Sequence, residues 1–443
     1  MNTVIIGLSR YALVFFIAFY AFHCFMAFAY GKEGTRNWFY FTQNAFMIFI
    51  HVTGLVVIAM QTGNKDLYVA CALQEVLFLA VIALYYVIYP NSSRLLINNM
   101  CMFLAISFVI LSRLSVEKAM KQFIVVAVSL IITMIIPIII ERFKNMRVLT
   151  YIFGTVGVLS LLTVMLLGAA TNGSKLSYDL FGITFQPSEF VKILFVLFEA
   201  GMLTDKDEKT GKIVMRPDPV KVVTSAIVAA AYVVILVLSR DLGSGLIFFV
   251  VYIFMLYASL KASLVLLGGA GSGILGSVIG YKLFSHVRTR VIAWRDPFKV
   301  IEGQGYQITQ SLFAIGTGGW FGMGLTLGSP DRIPVVERDF IFSAISEELG
   351  CIFSICLILI CISTFLIIMN VAMMIENPYY KLIALGLAVN YAFQVFLTVG
   401  GVTKFIPLTG VTLPLVSYGG SSVLATLIVF SIVQGIYLLH KEG

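Results

Sequence analysis

Charge is scarce in this chain. Asp, Glu, Lys and Arg make up 12% of its 443 residues, against about 25% in an average soluble domain. Histidine is scarcer still: His23, His51, His286 and His440 are scattered and form no ligand pattern, and His286, the only one near the polar loop described below, reads as incidental. All six cysteines lie inside apolar runs. The five-residue spacing of Cys351, Cys356 and Cys361 turns each to a different helix face, which excludes a zinc cluster and leaves them as small core residues. No G-x-x-x-x-G-K loop occurs, so Gly316, Gly318, Gly319, Gly322 and Gly324 read as turn and packing glycines, not as a nucleotide cradle. The first apolar segment lacks a basic leader and an A-x-A cleavage site, so it is expected to be a retained helix. With no basic soluble domain interleaved with aromatics, the net charge of +8 does not point to nucleic acid.

What fills the chain is hydrocarbon. It is 60% hydrophobic, with a mean hydropathy of +0.98. The apolar residues come in continuous runs of about twenty, long enough to span a bilayer as helices and unlike the alternating strands of about ten in a barrel. The fold class is therefore all-α and polytopic in a membrane. Thirteen spans are predicted, near 4–29, 38–60, 67–89, 95–113, 121–140, 148–167, 187–203, 220–238, 243–259, 262–284, 343–372, 380–400 and 413–439. No internal repeat and no separate soluble domain is evident. Basic residues gather in Lys32/Arg36, Arg94, Arg142/Lys144/Arg147, the 204–221 segment, Lys261, Lys381 and Lys441. These alternate in register and fall on one side, which the positive-inside rule makes cytoplasmic. The N-terminus and the long loop 285–342 are then expected outside, and the C-terminus in the cytoplasm.

That loop is too polar for the bilayer, and its arginines break the positive-inside bias. Arg288, Arg290 and Arg295 precede Asp296-Pro297, and Glu302 precedes Gly305-Tyr306-Gln307. Arginine forks bind phosphate oxygens, and a carboxylate beside them can take a hydroxyl proton, so the pattern suits a general base acting on a phosphate-bearing substrate. The same charges would also serve as a solvated network pairing with itself. Asp339, Ser343 and Glu347, spaced i, i+4, i+8, are expected on one stripe where the next span begins, beside Glu348.

Three further motifs interrupt the apolar runs. In Gln186-Pro187-Ser188-Glu189-Phe190-Val191-Lys192, proline suits the first helical turn, and Glu189 and Lys192 are i, i+3 neighbours, a structural ion pair or part of a site. Arg240-Asp241-Leu242-Gly243-Ser244-Gly245 places another charged pair between two spans. Pro407–Gly410 and Pro414–Ser422, the second including Ser417, read as a broken helix lining a cavity. From the residues alone, a transporter and a membrane-embedded transferase both fit.

Taken in order, QPSEFVK (186–192), RDLGSG (240–245), GQGYQITQSLFAIGTGGWFGMG (303–324), DFIFSAISEELG (339–350) and PLTGVTLPLVSYGGSS (407–422) resemble the SEDS family of FtsW, RodA and SpoVE. The resemblance covers residue 95 to the C-terminus and divides the chain into a ten-helix core, 91–443, and a three-helix N-terminal extension, 1–90. It implies a peptidoglycan glycosyltransferase that polymerises lipid II with inversion, in division, elongation or sporulation. A loop carboxylate would deprotonate the acceptor hydroxyl, and undecaprenyl pyrophosphate would leave. Arginines, with a divalent cation such as Mg or Mn admitted but no protein metal site named, would stabilise it. It also implies a class B penicillin-binding protein and other division or elongation membrane proteins as partners. Asp296 matches the family's first Asp-Pro, whereas a second aspartate's position falls on Val300, with Glu302 nearby. Asp296 is assigned as the base, Glu302 is its alternative, and valine here puts full activity in question. The substrate contacts assigned with them are Arg288, Arg290, Arg295, Gln307, Gln310, Ser311, Glu189, Lys192, Asp241, Asp339, Glu347 and Ser417. A lipid II flippase and a non-catalytic scaffold for a transpeptidase remain open alternatives.

Overall fold

A computed structural model describes residues 2–30, 32–143, 145–171, 174–180, 183–207 and 209–442. The helices in chain order are α1 (Asn2–Ala29), α2 (Glu33–Thr62), α3 (Asp66–Ile88), α4 (Arg94–Leu114), α5 (Val116–Thr133), α6 (Ile136–Arg142), α7 (Thr150–Leu167), α8 (Pro187–Met202), α9 (Pro219–Leu238), α10 (Leu242–Leu260), α11 (Ser263–Leu283), α12 (Ser285–Arg295), α13 (Tyr306–Gly318), α14 (Ile341–Met374), α15 (Pro378–Val402) and α16 (Gly420–Glu442). Antiparallel strands β1 (Ala169–Thr171), β2 (Ser174–Leu180) and β3 (Ile183–Phe185) precede α8, and β4 (Asp205–Lys206) pairs with β5 (Ile213–Val214) after it. Among the described residues, twelve helices are long and apolar enough to cross a membrane. The thirteenth predicted span is α8, only 16 residues long. This is a multi-pass, helical membrane protein.

The span predicted near 121–140 is present, within 116–142, as two helices, α5 and α6, parted by a turn just before Pro137, where the missing N–H prevents a continuous ladder. One span prediction needs correction. The run from 413 becomes helical only at Gly420. Pro407–Gly419 is therefore a connecting segment and not half of a broken helix. The broken helix is α14, which loses helical geometry at Gly350.

The chain forms two compact units. The first comprises residues 1–132, 296–367 and 398–419. Its centre is α4, whose apolar window is wholly buried, with Phe103 and Phe108 at 0% exposure. Buried polar groups fasten the N-terminal helices to that centre. Asn99 accepts from the Tyr20 hydroxyl at 3.1 Å and donates to Thr364 at 3.1 Å. Asn98 donates to Gln43 at 2.9 Å, and His51 on α2 meets Glu75 and Gln74 on α3 at 2.7 and 2.8 Å. Away from water each such pair replaces a costly unsatisfied group, so these bonds fix which helix faces meet.

The second unit comprises residues 133–295, 368–397 and 420–443. Phe195, Tyr232 and Phe248 pack ring to ring at 4.8–5.4 Å across α8, α9 and α10. Asp218 caps α9 by accepting from the Val220 N–H at 3.2 Å, and Asp241 caps α10 by accepting from the Ser244 N–H at 3.0 Å. Each satisfies a donor that the first helical turn cannot.

Candidate functional site

Gly350 is held at φ 90°, ψ 171°, a region open essentially to glycine. In an unbroken helix the Cys351 and Ile352 N–H groups would reach the carbonyls of Glu347 and Glu348. Here all four groups are released, and the segment after α13 takes them. The Met323 and Gly324 N–H groups donate to the Glu347 and Glu348 carbonyls, both at 2.9 Å. The Cys351 and Ile352 N–H groups donate to the carbonyls of Gly319 and Trp320 at 2.9 and 3.2 Å. Irregular backbone inside a membrane protein is tolerated when its polar groups are satisfied in this way. The approach is close, because a Cβ on Gly322 would lie 2.2 Å from the Glu348 carbonyl oxygen.

Side chains continue the join. The Glu347 carboxylate accepts from the Ser329 N–H at 2.9 Å. Glu348, 1% exposed, accepts from the Arg113 Nε at 2.8 Å and the Thr326 N–H at 3.2 Å. Arg113 also donates to the Gly328 carbonyl at 3.3 Å. The sequence pattern singles out Glu347 but not the Arg113–Glu348 pair, whose members lie 235 positions apart. Asp339 does not share a helical stripe with Ser343 and Glu347, because α14 starts only at Ile341. Ser343 turns to α13, where its hydroxyl meets Ser311 at 2.7 Å, and Ser311 donates to the Val402 carbonyl at 2.8 Å. Gln307 and Gln310, also on α13, are half-buried.

In the same unit, Asp296 stands ahead of a 3-10 turn, Pro297–Val300, its side chain 42% exposed and 2.7 Å from the Lys299 ammonium. The hydrogen bond from Lys299 holds the Asp296 carboxyl below the ordinary aspartate range, and Lys404 adds to the pull. Glu302 is exposed. At position 300 the backbone does the work: the Val300 carbonyl accepts from the N–H groups of Gly303 and Gly305 at 3.1 and 2.9 Å. Ser417 is occupied by backbone, donating to the Arg338 carbonyl at 2.6 Å and accepting from the Leu413 N–H at 2.9 Å.

The second unit brings together Glu189, Lys192 and Asp241. The Lys192 ammonium sits 3.0 Å from both Glu189 carboxylate oxygens and 2.9 Å from the Gln394 amide oxygen. Asp241 accepts from the Ser188 hydroxyl at 3.4 Å. Burial pushes its carboxyl above the usual range, with the Ser244 hydrogen bonds opposing that and the Glu189 charge adding to it. The i, i+3 spacing disclosed the ion pair, but nothing in sequence disclosed Gln394. On α12, Arg288 and Arg295 are seven positions apart and share a helix face, while Arg290 is turned to the other side. Arg288 donates to the Lys282 carbonyl at 3.1 Å and lies over the Tyr281 ring.

A protein-held divalent cation does not fit this donor set. Among the described residues, no three His, Cys, Asp or Glu side chains gather to hold one, and Asp296 already faces Lys299.

Comparison with known proteins agrees with this architecture. A family model described as "Cell cycle protein", named for FtsW, RodA and SpoVE, matches residues 92–442. Peptidoglycan glycosyltransferase RodA of Mycobacterium tuberculosis is 37% identical over 295 residues, covering 65% of this chain and 63% of its own. The chain thus spans less than two thirds of that relative's length. Probable peptidoglycan glycosyltransferase FtsW of Bacillus subtilis is 31% identical over 299 residues, 65% of this chain and 72% of its own. A solved structure described as "Structural coordination of polymerization and crosslinking by a peptidoglycan synthase complex" contains a chain that superposes with a TM-score of 0.65. It is 23% identical and covers 79% of this chain and 98% of its own, a likeness of fold. With the family model covering most of its length, the chain belongs to the SEDS family of cell cycle proteins that includes FtsW, RodA and SpoVE.

Proposed function

We propose that this protein is a peptidoglycan glycosyltransferase that polymerises lipid II. The observation that carries the reading is Asp296, an accessible carboxylate beside Lys299, in a chain whose relatives bear that activity in their names. In the reaction, the Asp296 carboxylate takes the proton of the acceptor sugar's hydroxyl, and the freed oxygen attacks the anomeric carbon of the donor. The bond from that carbon to the pyrophosphate breaks, its electron pair leaving with the undecaprenyl pyrophosphate, and the configuration inverts. Arg288, Arg290 and Arg295 are assigned to the pyrophosphate charge, with Arg288 and Arg295 acting from one helix face. Gln307, Gln310, Asp339 and Glu347 belong to the polar surroundings of the substrate, with Ser311 and Ser417 holding the fold in the same unit, and Glu189, Lys192 and Asp241 form a buried charged cluster within the second unit. The basic short loops favour a cytoplasmic C-terminus, with the N-terminus and the 285–342 segment outside. A class B penicillin-binding protein is the partner this reading calls for, and the domain division at residue 90 belongs to the same reading.

The test is polymerisation of lipid II by the purified protein, with its class B partner added. Asp296→Asn lowers glycan yield by at least about 100-fold, the scale of a lost general base, while Glu302→Gln stays within a few-fold of wild type. Equal loss in both variants would remove the assignment of Asp296. No product from wild type, with verified substrate and partner, would leave lipid translocation in sealed vesicles as the next assay.

Lys299 sets a second expectation. While paired, it keeps Asp296 ionised but weakly basic. A pyrophosphate that draws Lys299 away leaves the carboxylate free to accept a proton. Lys299→Ala removes the largest influence depressing the carboxyl, so its pKa rises and the ionised form is lost at a higher pH during acidification. The acid limb of the pH–rate profile therefore moves to higher pH. An unmoved limb would separate Asp296 from the base role.

A further inference from the structure

The family match begins at residue 92, so α1, α2 and α3 lie outside it, and none of the chemistry above uses them. Yet α1 reaches the join at the break in α14. The Arg10 guanidinium donates to the Gly322 carbonyl at 3.2 Å, across 312 positions of sequence. The neighbouring Tyr11 ring packs against Phe321 with centroids 5.2 Å apart, and the guanidinium also lies over Tyr11, 4.7 Å from its centroid. All of these groups lie in the first unit.

Gly322 sits at a decisive place. Its own N–H closes a turn onto the Gly318 carbonyl at 2.9 Å, and the next two N–H groups cap the carbonyls freed in α14. The following residues deliver the N–H groups of Thr326 and Ser329 to Glu348 and Glu347. A cation on the Gly322 carbonyl therefore fixes the start of the strip that holds both carboxylates. A charge-assisted bond of this kind is stronger than a neutral one, and here it is made by a helix the family model does not contain.

We infer that Arg10 is a positioning residue through which the N-terminal helices hold the 319–329 strip, and with it Glu347 and Glu348, in place. The three extra helices thus act as a built-in clamp on the segment between α13 and α14. This inference does not rest on the polymerase reading, because its primary readout is structural and local.

The experiment is hydrogen–deuterium exchange on the full-length protein in lipid nanodiscs, followed at peptides covering residues 319–331. Arg10→Ala speeds exchange of the Met323 and Gly324 amides about tenfold, as expected when a supporting charged hydrogen bond is lost and the strip opens locally. Arg10→Lys, which keeps a cationic donor, restores most of the protection. Exchange along α8 and α16, which belong to the second unit, stays at the wild-type rate in both. Unchanged protection of the strip in Arg10→Ala overturns the inference, as does an equal rise across all helices, which would mean general loosening. Should Arg10→Ala fail to fold, Tyr11→Ala tests the same contact through its packing on Phe321, with the same local rise expected. Polymerisation by the wild type, measured in parallel, distinguishes the two claims: faster strip exchange in Arg10→Ala, when the wild type itself makes no glycan, retains the clamp and rejects the polymerase.

Discussion

Gly350→Ala leaves little or no folded protein. Alanine at φ 90°, ψ 171° carries a backbone penalty of about 1–3 kcal/mol, and its Cβ would lie 2.3 Å from the Gly322 nitrogen and 2.5 Å from the Phe321 carbonyl carbon. Those atoms are main chain and cannot swing away as a side chain could. The 319–324 segment must withdraw, and with it go four backbone hydrogen bonds that satisfy the break. At about 0.5–1.5 kcal/mol for each bond, the total reaches roughly 5 kcal/mol, comparable to the whole stability of many domains. The measurement is monodisperse yield by size-exclusion chromatography together with the melting temperature in detergent. Gly303→Ala is the control: its Cβ meets nothing within 4 Å and its backbone is not in the left-handed region, so a change within about 0.5 kcal/mol is expected. A Gly350→Ala protein melting with wild type would show that α14 can straighten without its inserted strip.

That break also marks where sequence reasoning stopped. The apolar runs disclosed the spanning helices because hydrocarbon tolerates little else, and the spacing of Glu189 and Lys192 disclosed their pairing because both sit on one helical turn. Gly350 looked like any glycine in an apolar run. What makes it a break is a segment some thirty residues earlier whose N–H and C=O groups fit the gap, and no local pattern carries that information. Pro407–Ser422 drew the opposite error: its prolines and glycines mimic an interrupted helix, whereas they shape a turn that Gln122 and Glu337 grip through the Ser417 carbonyl and the Tyr418 N–H. Arg113 and Glu348 were each visible as charges in spanning helices. Only the fold pairs them. The Asp-Pro setting marks the candidate base, whereas Lys299, three positions on, shows its tempering role only in the 2.7 Å contact.

Lys192→Met is the second large effect, and it separates structure from chemistry at the other charged cluster. The wild-type pair is almost dry, with side-chain exposures of 4% for Lys192 and 9% for Glu189, and Gln394 occupies a further ammonium donor. Removing only the lysine leaves the Glu189 carboxylate buried beside Asp241 without its cation, a loss of about 3–5 kcal/mol by comparison with broken buried pairs. Glu189→Gln strands the ammonium in the same way, at similar cost. The double variant Glu189→Gln/Lys192→Met removes both charges, and buried pairs replaced together are often neutral in stability. Its melting temperature is therefore expected nearer wild type than either single variant, with a coupling of at least about 2 kcal/mol in the cycle. Additive losses would mean that the two side chains are held by separate surroundings and that the 3.0 Å contact contributes nothing. A stable double variant that polymerises lipid II would place the pair in the fold alone. A stable double variant without activity would place its charges in the reaction, because folding would then be satisfied and the chemistry would not.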